Sequence, residues 1–550
     1  MFPVTEPCSL SIADMFLTCR DLPVGKAEHV CGKVYNFRER LTDISDINIC
    51  RNACACRHGQ CGFYRKGRKM AKIDKIDIVN AEGKDAQELE REVQLASIKR
   101  QAENYCFPEK PELLKQIEWF RDQKFGLMIH WGIYNQIGLK ESWPLVDNEW
   151  SKWQFKPGTE NIEVKKMYAE LHKGFLPIRF DPQDWADAAY AAGFRYLSFT
   201  TKHHDGFCMW DTKTTDYKVT GSEVPWRTHK YADITRALFD AFRAKGMGIS
   251  AYYSRADFDC PYYWEEGYRW KDGTERVPSY DPEEKPETWQ RFKDFVFAQL
   301  SEIVNDYGKI DCLWYDGGCD GVQLGLPEMT EELRKVQPWM LGVIRGGVGI
   351  CEDIITPELV LPDEPMDVPW ELCTVMGKRK VEYGKSPISF GYTYDQDYMS
   401  AREVAHLLLD VVAKGGNLAL NLAPQPDGRL PHRALEHLEV LADWMKIFGT
   451  AIYNTRVVAP YRIGKYAYTK SKDDKAVNIF YLYEEGEVVP ADYEADFEGK
   501  AQSVTDKRTG MPLAFEQEGA CLKIHLPVEL AGRNADIADC FVVRRTLQNE

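Results

Sequence analysis

In the segment LWYDGG, Asp316 closes an apolar run and two glycines follow it. Trp314 and Tyr315 would thin the water around such a carboxylate, and Gly317 and Gly318 leave room for a ligand to approach, so the group has the surroundings of a nucleophile. Used in that way on a sugar, it needs a second carboxyl group about 5 to 5.5 Å away as general acid and base, the geometry of a retaining glycosidase. An Asp-Gly step after a strand also caps helices, and the motif alone does not separate the two roles.

The segment TKHHDGFCMWDTKTTDY brings His203 and His204 together. Adjacent strand residues point to opposite faces, but a bend at the strand's carboxyl end lets both imidazoles reach one cavity. A metal would require a third convergent His or Asp, which the HHD run could supply. Hydrogen bonding to sugar hydroxyls accounts for the set as well, because a neutral imidazole donates and accepts at once. His130 in FGLMIHWG, Glu141 and Trp143 in ESWPL, and Phe390 in ISFGYTYD add further aromatic and polar groups. Aromatic faces for C–H surfaces and planar polar groups for vicinal hydroxyls are what a carbohydrate pocket contains.

These residues need a frame, and the chain's pattern supplies one. From about residue 115 to 450, runs such as FGLMIHW, FRYLSFT, GISAYYS, DCLWYDG, WMLGVIR and NLALNLA read as strands. They alternate with helical periods such as DITRALFDAFRAKG, AREVAHLLLDVVAKGG and HRALEHLEVLADWMKIFG. Alternation of this kind predicts an α/β fold, a (β/α)8-like TIM barrel, whose active face lies at the carboxyl ends of its strands. His130, His203, His204, Tyr253, Asp316 and Arg345 all stand at such ends. After about 455 the pattern changes to short alternating segments between Gly, Pro and Asp turns, a small β-sandwich signature. The expected organisation is a Cys-rich N-terminal extension over 1–110, a catalytic barrel over 111–454 and a C-terminal β-sandwich over 455–550.

The 550 residues exclude a single small domain, and 44% hydrophobic content excludes wholesale disorder. Lys and Arg total 70 against 85 Asp and Glu, a net charge of −15 that argues against nucleic acid or an anionic membrane surface as the main partner. The first residues lack a basic flank followed by an apolar core, and no run of about 18 apolar residues occurs, so the expectation is a cytoplasmic protein with no membrane partner. Eight of the 16 cysteines fall in the first 106 residues. Among them, Cys50, Cys54, Cys56 and Cys61 form C-x3-C-x-C-x4-C, a set able to hold zinc or an iron-sulfur centre but matching no usual knuckle. Reduced or partly paired thiols in an extension are the competing reading.

At this point the chain resembles a known family, the retaining α-L-fucosidases of glycoside hydrolase family 29. The resemblance rests on WFRDQKFGLMIHWGIY, GFRYLSFTTKHHDGFCMWDTKTTDYKV, GMGISAYYS, IDCLWYDGG, PWELCTVMG, ISFGYTYDQDYMSAREVAHLLLDVVAKGGNLALNLAPQPDGRLP and FGTAIYNTR, in that order. It implies a catalytic barrel followed by a β-sandwich, no metal or organic cofactor, a fucosylated oligosaccharide or glycan as substrate, and association into homo-oligomers as an expectation. It implies Asp316 as the nucleophile. His130, His203 and His204, with Tyr253 beside them and Trp314 before the nucleophile, resemble the groups that bind fucose hydroxyls. Arg345 resembles an arginine near the nucleophile, in VIRGGVG rather than the family's Asn-Asp-Arg context, and Phe390 resembles the aromatic near the C5 methyl. Glu141 and Trp143 resemble a Glu-Trp pair, with ESW in place of adjacent EW and with Glu149-Trp150 as a second match. For the acid/base, Glu358 in ITPEL stands first and Glu371 in PWELC second, with Glu352 and Asp353 close by. The competing reading is a lectin-like barrel that holds fucose without cleaving it.

Overall fold

Seven apolar strands, each buried along its whole length, form one parallel sheet in the computed structural model, which describes residues 86–146, 155, 159–345, 352–378, 389–394 and 396–546. Strands covered on both faces are expected to read as continuous β-branched and aromatic runs, which is how these read. They are β1 (Phe125–Ile129), β2 (Tyr196–Lys202), β3 (Gly248–Ser254), β4 (Cys312–Asp316), β5 (Leu341–Ile344), β6 (Glu371–Val375) and, after a short antiparallel pair β7 (Gly377–Lys378) and β8 (Asp397–Tyr398), β9 (Asn417–Asn421). Their order is β5-β4-β3-β2-β1-β9-β6.

The edges of this sheet are joined. Ile354 bridges to Val343 of β5, while Ile355 and Glu358 bridge to Trp370 and to Cys373 of β6. Residues 354–358 thus connect the first and last strands, and the sheet curls around an interior that holds Met128, Tyr196, Tyr252, Trp314 and Cys373. Helix α2 (Pro111–Gln123) precedes β1 and contributes Leu113, Ile117 and Phe120 to the same core. β6, in the segment ELCTV, adds a strand to the six expected from the sequence.

Helix α1 (Ala86–Glu103) precedes Tyr105 and belongs to a separate unit. In the main unit, α3 (Asn161–Ala169) and α4 (Pro182–Ala191) stand between β1 and β2, α5 (Ile234–Ala244) between β2 and β3, and α6 (Pro286–Asp306) between β3 and β4. The short α7 (Gly321–Leu324) and α8 (Leu326–Arg334) precede β5, and α9 (Ala401–Ala413) and α10 (His432–Phe448) flank β9. Their starts follow from local chemistry: Asp181 and Asp233 accept the first free N–H groups of α4 and α5, and Ser400 with Glu403 makes a reciprocal capping box at α9.

The C-terminal part is antiparallel. Strands β10 (Thr455–Arg456), β11 (Arg462–Ile463), β12 (Tyr466–Ser471), β13 (Ala476–Leu482), β14 (Asp492–Asp496), β15 (Lys500–Asp506), β16 (Pro512–Glu518), β17 (Cys521–His525) and β18 (Ala538–Thr546) pair in the order β10-β12-β13-β18-β15-β16-β17-β14, with β11 on β12. One core takes Tyr468, Ile479 and Phe541 from one end of that order and Tyr493, Leu522 and Ile524 from the other. Among the described residues no helix is long and apolar enough to cross a membrane. Cys50, Cys54, Cys56 and Cys61, like Glu149 and Trp150, lie outside the described residues.

Candidate active site

Asp316 is the last residue of β4 and stands in register with Ser254, the last of β3. Counting back by twos puts Trp314 and Tyr252 on the same interior face. The Tyr252 hydroxyl donates to Asp316 Oδ2, and Ser254 Oγ donates to that hydroxyl at 3.2 Å. His204 Nε2 lies 3.4 Å from Oδ2, and Arg345 Nη1, one residue beyond β5, lies 3.3 Å from Oδ1. Burial works to raise the Asp316 pKa, but the Arg345 charge and the His204 contact outweigh it and hold the carboxyl well below its ordinary range. A buried, ionised carboxylate at a strand end is a poised nucleophile.

Arg345 does not serve Asp316 alone. Its Nη2 lies 2.5 Å from Glu358 Oε2, so one planar guanidinium spans both carboxyl groups. Burial raises the Glu358 pKa, Arg345 opposes, and the Asp316 and Glu141 charges add to the rise, which leaves it above an ordinary glutamate. The Arg345 guanidinium is partly exposed, and the Glu358 and Asp316 charges outweigh the desolvation it does suffer, so it stays cationic.

Two histidines complete the wall. His130 follows β1, and its Nδ1 lies 2.8 Å from Asn421 Oδ1 at the end of β9. Burial lowers its pKa to about 4, so the ring is neutral. His203 Nδ1 lies 2.5 Å from Ser142 Oγ, and burial, with His204 and His130 nearby, holds it well below the usual histidine range. The His130 ring is 4.8 Å from Phe390 and 5.8 Å from His203 between centroids, and Trp143 sits edge-on to His203 at 6.1 Å. Glu141 is buried with φ of 40°, and its Oε1 accepts from Ser389 Oγ at 2.7 Å and the Gly391 N–H at 2.6 Å. It thereby ties the segment carrying Phe390 to the segment carrying Trp143.

Below this wall, Lys202 Nζ is fully buried between Asp257 Oδ2 at 2.8 Å, the Tyr253 hydroxyl at 2.9 Å and Gln299 Oε1 at 3.1 Å. Asp257 in turn accepts the backbone N–H groups of Asp259 and Cys260. This network fixes the strand end that turns into His203 and His204. The aromatic loop after β3 packs on itself, with Trp264 stacked on Phe258 at 4.9 Å and both Tyr263 and Trp264 buried.

Two sequence assignments change. Tyr253 does not face the site: its hydroxyl meets Lys202 and Gln299 of α6 on the outer side of the sheet, and strand alternation gives the interior position to Tyr252. Glu371 does not reach Asp316 either. It opens β6 in register with Asn417, the first residue of β9, and accepts from the hydroxyl of Tyr196, the first residue of β2. That is the amino end of the curled sheet, with Trp314, Met128 and Cys373 packed in the interior that separates it from the carboxyl ends. Asp353 is likewise engaged, by Arg334 and by the Gly342 N–H. Tyr252, Ser142 and Asn421 went unnoticed in the sequence; for Tyr252, the two-residue phase of the strand was the available signal.

His203, His204 and Asp316 offer ligand atoms within 4.8 Å of one another, a grouping that fits a metal ion by distance. The donor set does not fit one: the Asp316 carboxylate already receives Tyr252 and the Arg345 guanidinium, and a fixed cation at 3.3 Å repels a second. Hydrogen bonding to a polar ligand is chemistry that these imidazoles can perform.

A family model described as Alpha-L-fucosidase matches residues 93–450. The plasma alpha-L-fucosidase of Pongo abelii is 27% identical over 372 residues, 61% of this chain and 69% of that protein. The tissue alpha-L-fucosidase of Macaca fascicularis is 28% identical over 376 residues, 63% of this chain and 70% of that protein. Among solved structures, the Thermotoga maritima alpha-fucosidase in complex with fucose superposes with a TM-score of 0.62 at 26% identity, covering 80% of this chain and 100% of that one. The alpha-L-fucosidase isoenzyme 1 of Paenibacillus thiaminolyticus gives 0.62 at 25% identity, covering 79% and 99%.

Proposed function

The chain belongs to the alpha-L-fucosidase family, glycoside hydrolase family 29, and from that premise we propose that it removes terminal α-L-fucose from glycans by a retaining double displacement, with Asp316 as nucleophile and Glu358 as acid/base. The observation that carries this reading is the Arg345 guanidinium, which holds an ionised carboxylate and a half-buried carboxyl of raised pKa together on one face of the barrel. A spacing of about 5 to 5.5 Å between the two is what a retaining enzyme needs.

In the first step, an Asp316 oxygen attacks the anomeric carbon as Glu358 gives its proton to the departing glycosidic oxygen. Asp316 needs its negative charge for this, and the guanidinium with the Tyr252 and His204 contacts secures it. In the second step, Glu358, now a carboxylate, takes a proton from water, and the oxygen of that water displaces Asp316 with the configuration retained. His130, His203, Trp143 and Phe390 form the sugar-facing wall. Bonds from these groups that tighten as the ring flattens lower the barrier. We read residues 354–358 as the eighth stave of a (β/α)8-like barrel, with the catalytic part over 111–454 and an accessory β-sandwich over 455–550. The net charge of −15 suits a neutral glycan better than a polyanion.

The test is hydrolysis of an aryl α-L-fucoside by wild type, Asp316→Ala and Glu358→Ala, with azide added and the first-formed anomer read by NMR. Wild type is expected to release the α-anomer, Asp316→Ala with azide to give a β-fucosyl azide, and Glu358→Ala an α-fucosyl azide. First release of β-fucose, or full activity in Asp316→Ala, would overturn the assignment.

A further inference from the structure

Two side chains that touch no reacting atom control what the sugar meets. Ser142 is fully buried, and its Oγ accepts the Asp205 backbone N–H at 2.8 Å. Its one proton therefore has to go elsewhere, and among the described residues the acceptor in reach is His203 Nδ1, at 2.5 Å. A neutral His203 carrying its hydrogen on Nδ1 would press a second donor onto Oγ and leave the buried hydroxyl proton stranded. The Ser142 hydroxyl thus keeps Nδ1 bare and the hydrogen on Nε2.

The opposite holds at His130. Asn421 Nδ2 donates to the Phe390 carbonyl at 2.7 Å, which turns its Oδ1 towards β1. There Oδ1 accepts the His130 backbone N–H at 3.1 Å and faces Nδ1 at 2.8 Å. A carbonyl oxygen only accepts, so His130 carries its hydrogen on Nδ1 and its Nε2 is bare. No described residue meets Nε2 of either ring, and the ring centroids are 5.8 Å apart, close enough for both to serve one sugar.

We propose that Ser142 and Asn421 are positioning residues that lock two neutral histidines in opposite tautomers, so that His203 offers a donor and His130 an acceptor to different hydroxyls of the bound sugar. The proposal rests on the fucosidase reading for the identity of that sugar. Its consequence is a donor–acceptor code. The hydroxyl facing His203 is used as an acceptor, and fluorine can replace it. The hydroxyl facing His130 is used as a donor, and fluorine cannot.

The test has two arms on the full-length protein. In the first, histidine is labelled with 15N, and long-range 1H–15N spectra assign the tautomers without any substrate. His203 is expected as the Nε2–H form and His130 as the Nδ1–H form, with Ser142→Ala turning His203 into a mixture and Ser142→Thr restoring it. An Nδ1–H form of His203 in the wild type overturns the proposal. In the second arm, kcat/KM is measured on monodeoxy and monofluoro aryl α-L-fucosides. At one ring position the fluoro compound should outrun the deoxy compound about tenfold, and at another both should fall together. In Ser142→Ala the fluorine advantage at the first position should vanish, while Ser142→Thr keeps it. A fluorine advantage unchanged in Ser142→Ala, or absent in the wild type, overturns the proposal. Lack of any turnover by the wild type would instead strike the fucosidase reading, and the spectra would still decide the tautomers.

Discussion

Arg345 Nη2 stands 2.5 Å from Glu358 Oε2 while the other arm of the same guanidinium lies 3.3 Å from Asp316. One cation thus acts on both carboxyl groups of the proposed reaction, in the same direction on each. At Asp316 the effect is useful, since a nucleophile has to be ionised. At Glu358 it works against the acid role, and the burial of that carboxyl together with the charges of Asp316 and Glu141 wins the balance. The pH window of activity is the gap between the two outcomes.

Replacing Arg345 by Met should therefore move both limbs of the pH–kcat/KM profile upward. Asp316 has a pKa depressed largely by Arg345, so without it the acid limb, where the nucleophile becomes protonated, should appear at higher pH. Glu358 loses the influence that lowers it, so the alkaline limb should rise too. The rate at the optimum should fall by about 100-fold, the cost of losing one charge-stabilising donor. An acid limb that stays in place would show that Arg345 does not hold Asp316 ionised.

Glu371 gives a prediction about stability instead of rate. Its burial beside Tyr196 raises its pKa from 4.5 to about 7. A carboxyl whose folded pKa is raised costs nothing below the unfolded value and destabilises progressively as pH climbs through the folded one. Glu371→Gln should match wild type near pH 4 and become the more stable protein between pH 5 and 7, levelling at about 3 kcal/mol above that, to order of magnitude. Its kcat should stay within about twofold of wild type, because it sits at the other end of the barrel from Asp316. Denaturation at several pH values and a single activity assay check both parts; a collapse of kcat would restore Glu371 as an acid/base candidate.

Much of this site was legible in the chain because barrel strands announce their carboxyl ends. The apolar runs GLMI, CLWY and LGVI stop where His130, Asp316 and Arg345 begin, and those three residues do converge. What a run does not announce is phase. In SAYYS both tyrosines suit a strand, and only the pairing of Ser254 with Asp316 decides that Tyr252 faces inward. The register shift between Thr200 and Lys202 hides the phase of the HH pair in the same way. Glu371 is not placed by the sequence, because PWELC shows an acidic residue beside an apolar run without showing which end of the strand it occupies. The bridging segment 354–358 is too short and irregular to carry a strand signal, and so the placement of Glu358 depended on the closed sheet.

The buried network under His203 should prove energetically coupled. Lys202 and Asp257 are both almost wholly buried and 2.8 Å apart. Breaking such a pair from one side leaves an uncompensated charge and costs about 3–5 kcal/mol. Lys202→Met and Asp257→Asn should therefore both be strongly destabilised: Asn keeps an acceptor for the Asp259 and Cys260 N–H groups, but it turns an amide donor towards the buried Lys202 ammonium. The double variant should be more stable than the sum of the two losses by about 1–3 kcal/mol. Strict additivity in denaturation experiments would mean the pair contributes no mutual stabilisation.

Adjacent tyrosines on β3 should separate function from stability. The Tyr252 hydroxyl donates to Asp316 Oδ2, and its ring lies 5.3 Å from His130, so Tyr252→Phe removes a donor from the nucleophile while keeping the packing. Two effects on the rate oppose each other: the carboxylate loses a partner that stabilised its charge and becomes more basic, yet it is also less firmly aimed and protonates at higher pH. Aim should dominate, since misplacement of a reacting atom is costly, and kcat should drop by about 10–100-fold with the acid limb shifted upward. Tyr253→Phe touches the other face. It deprives Lys202 of the acceptor at 2.9 Å and should lower stability by about 1–3 kcal/mol, the cost of an unsatisfied buried donor. Its kcat should stay close to wild type, with the acid limb unmoved. Measured side by side, the two variants assign the strand's phase in solution: a Tyr253→Phe that loses turnover while Tyr252→Phe keeps it would place the wrong tyrosine in the site.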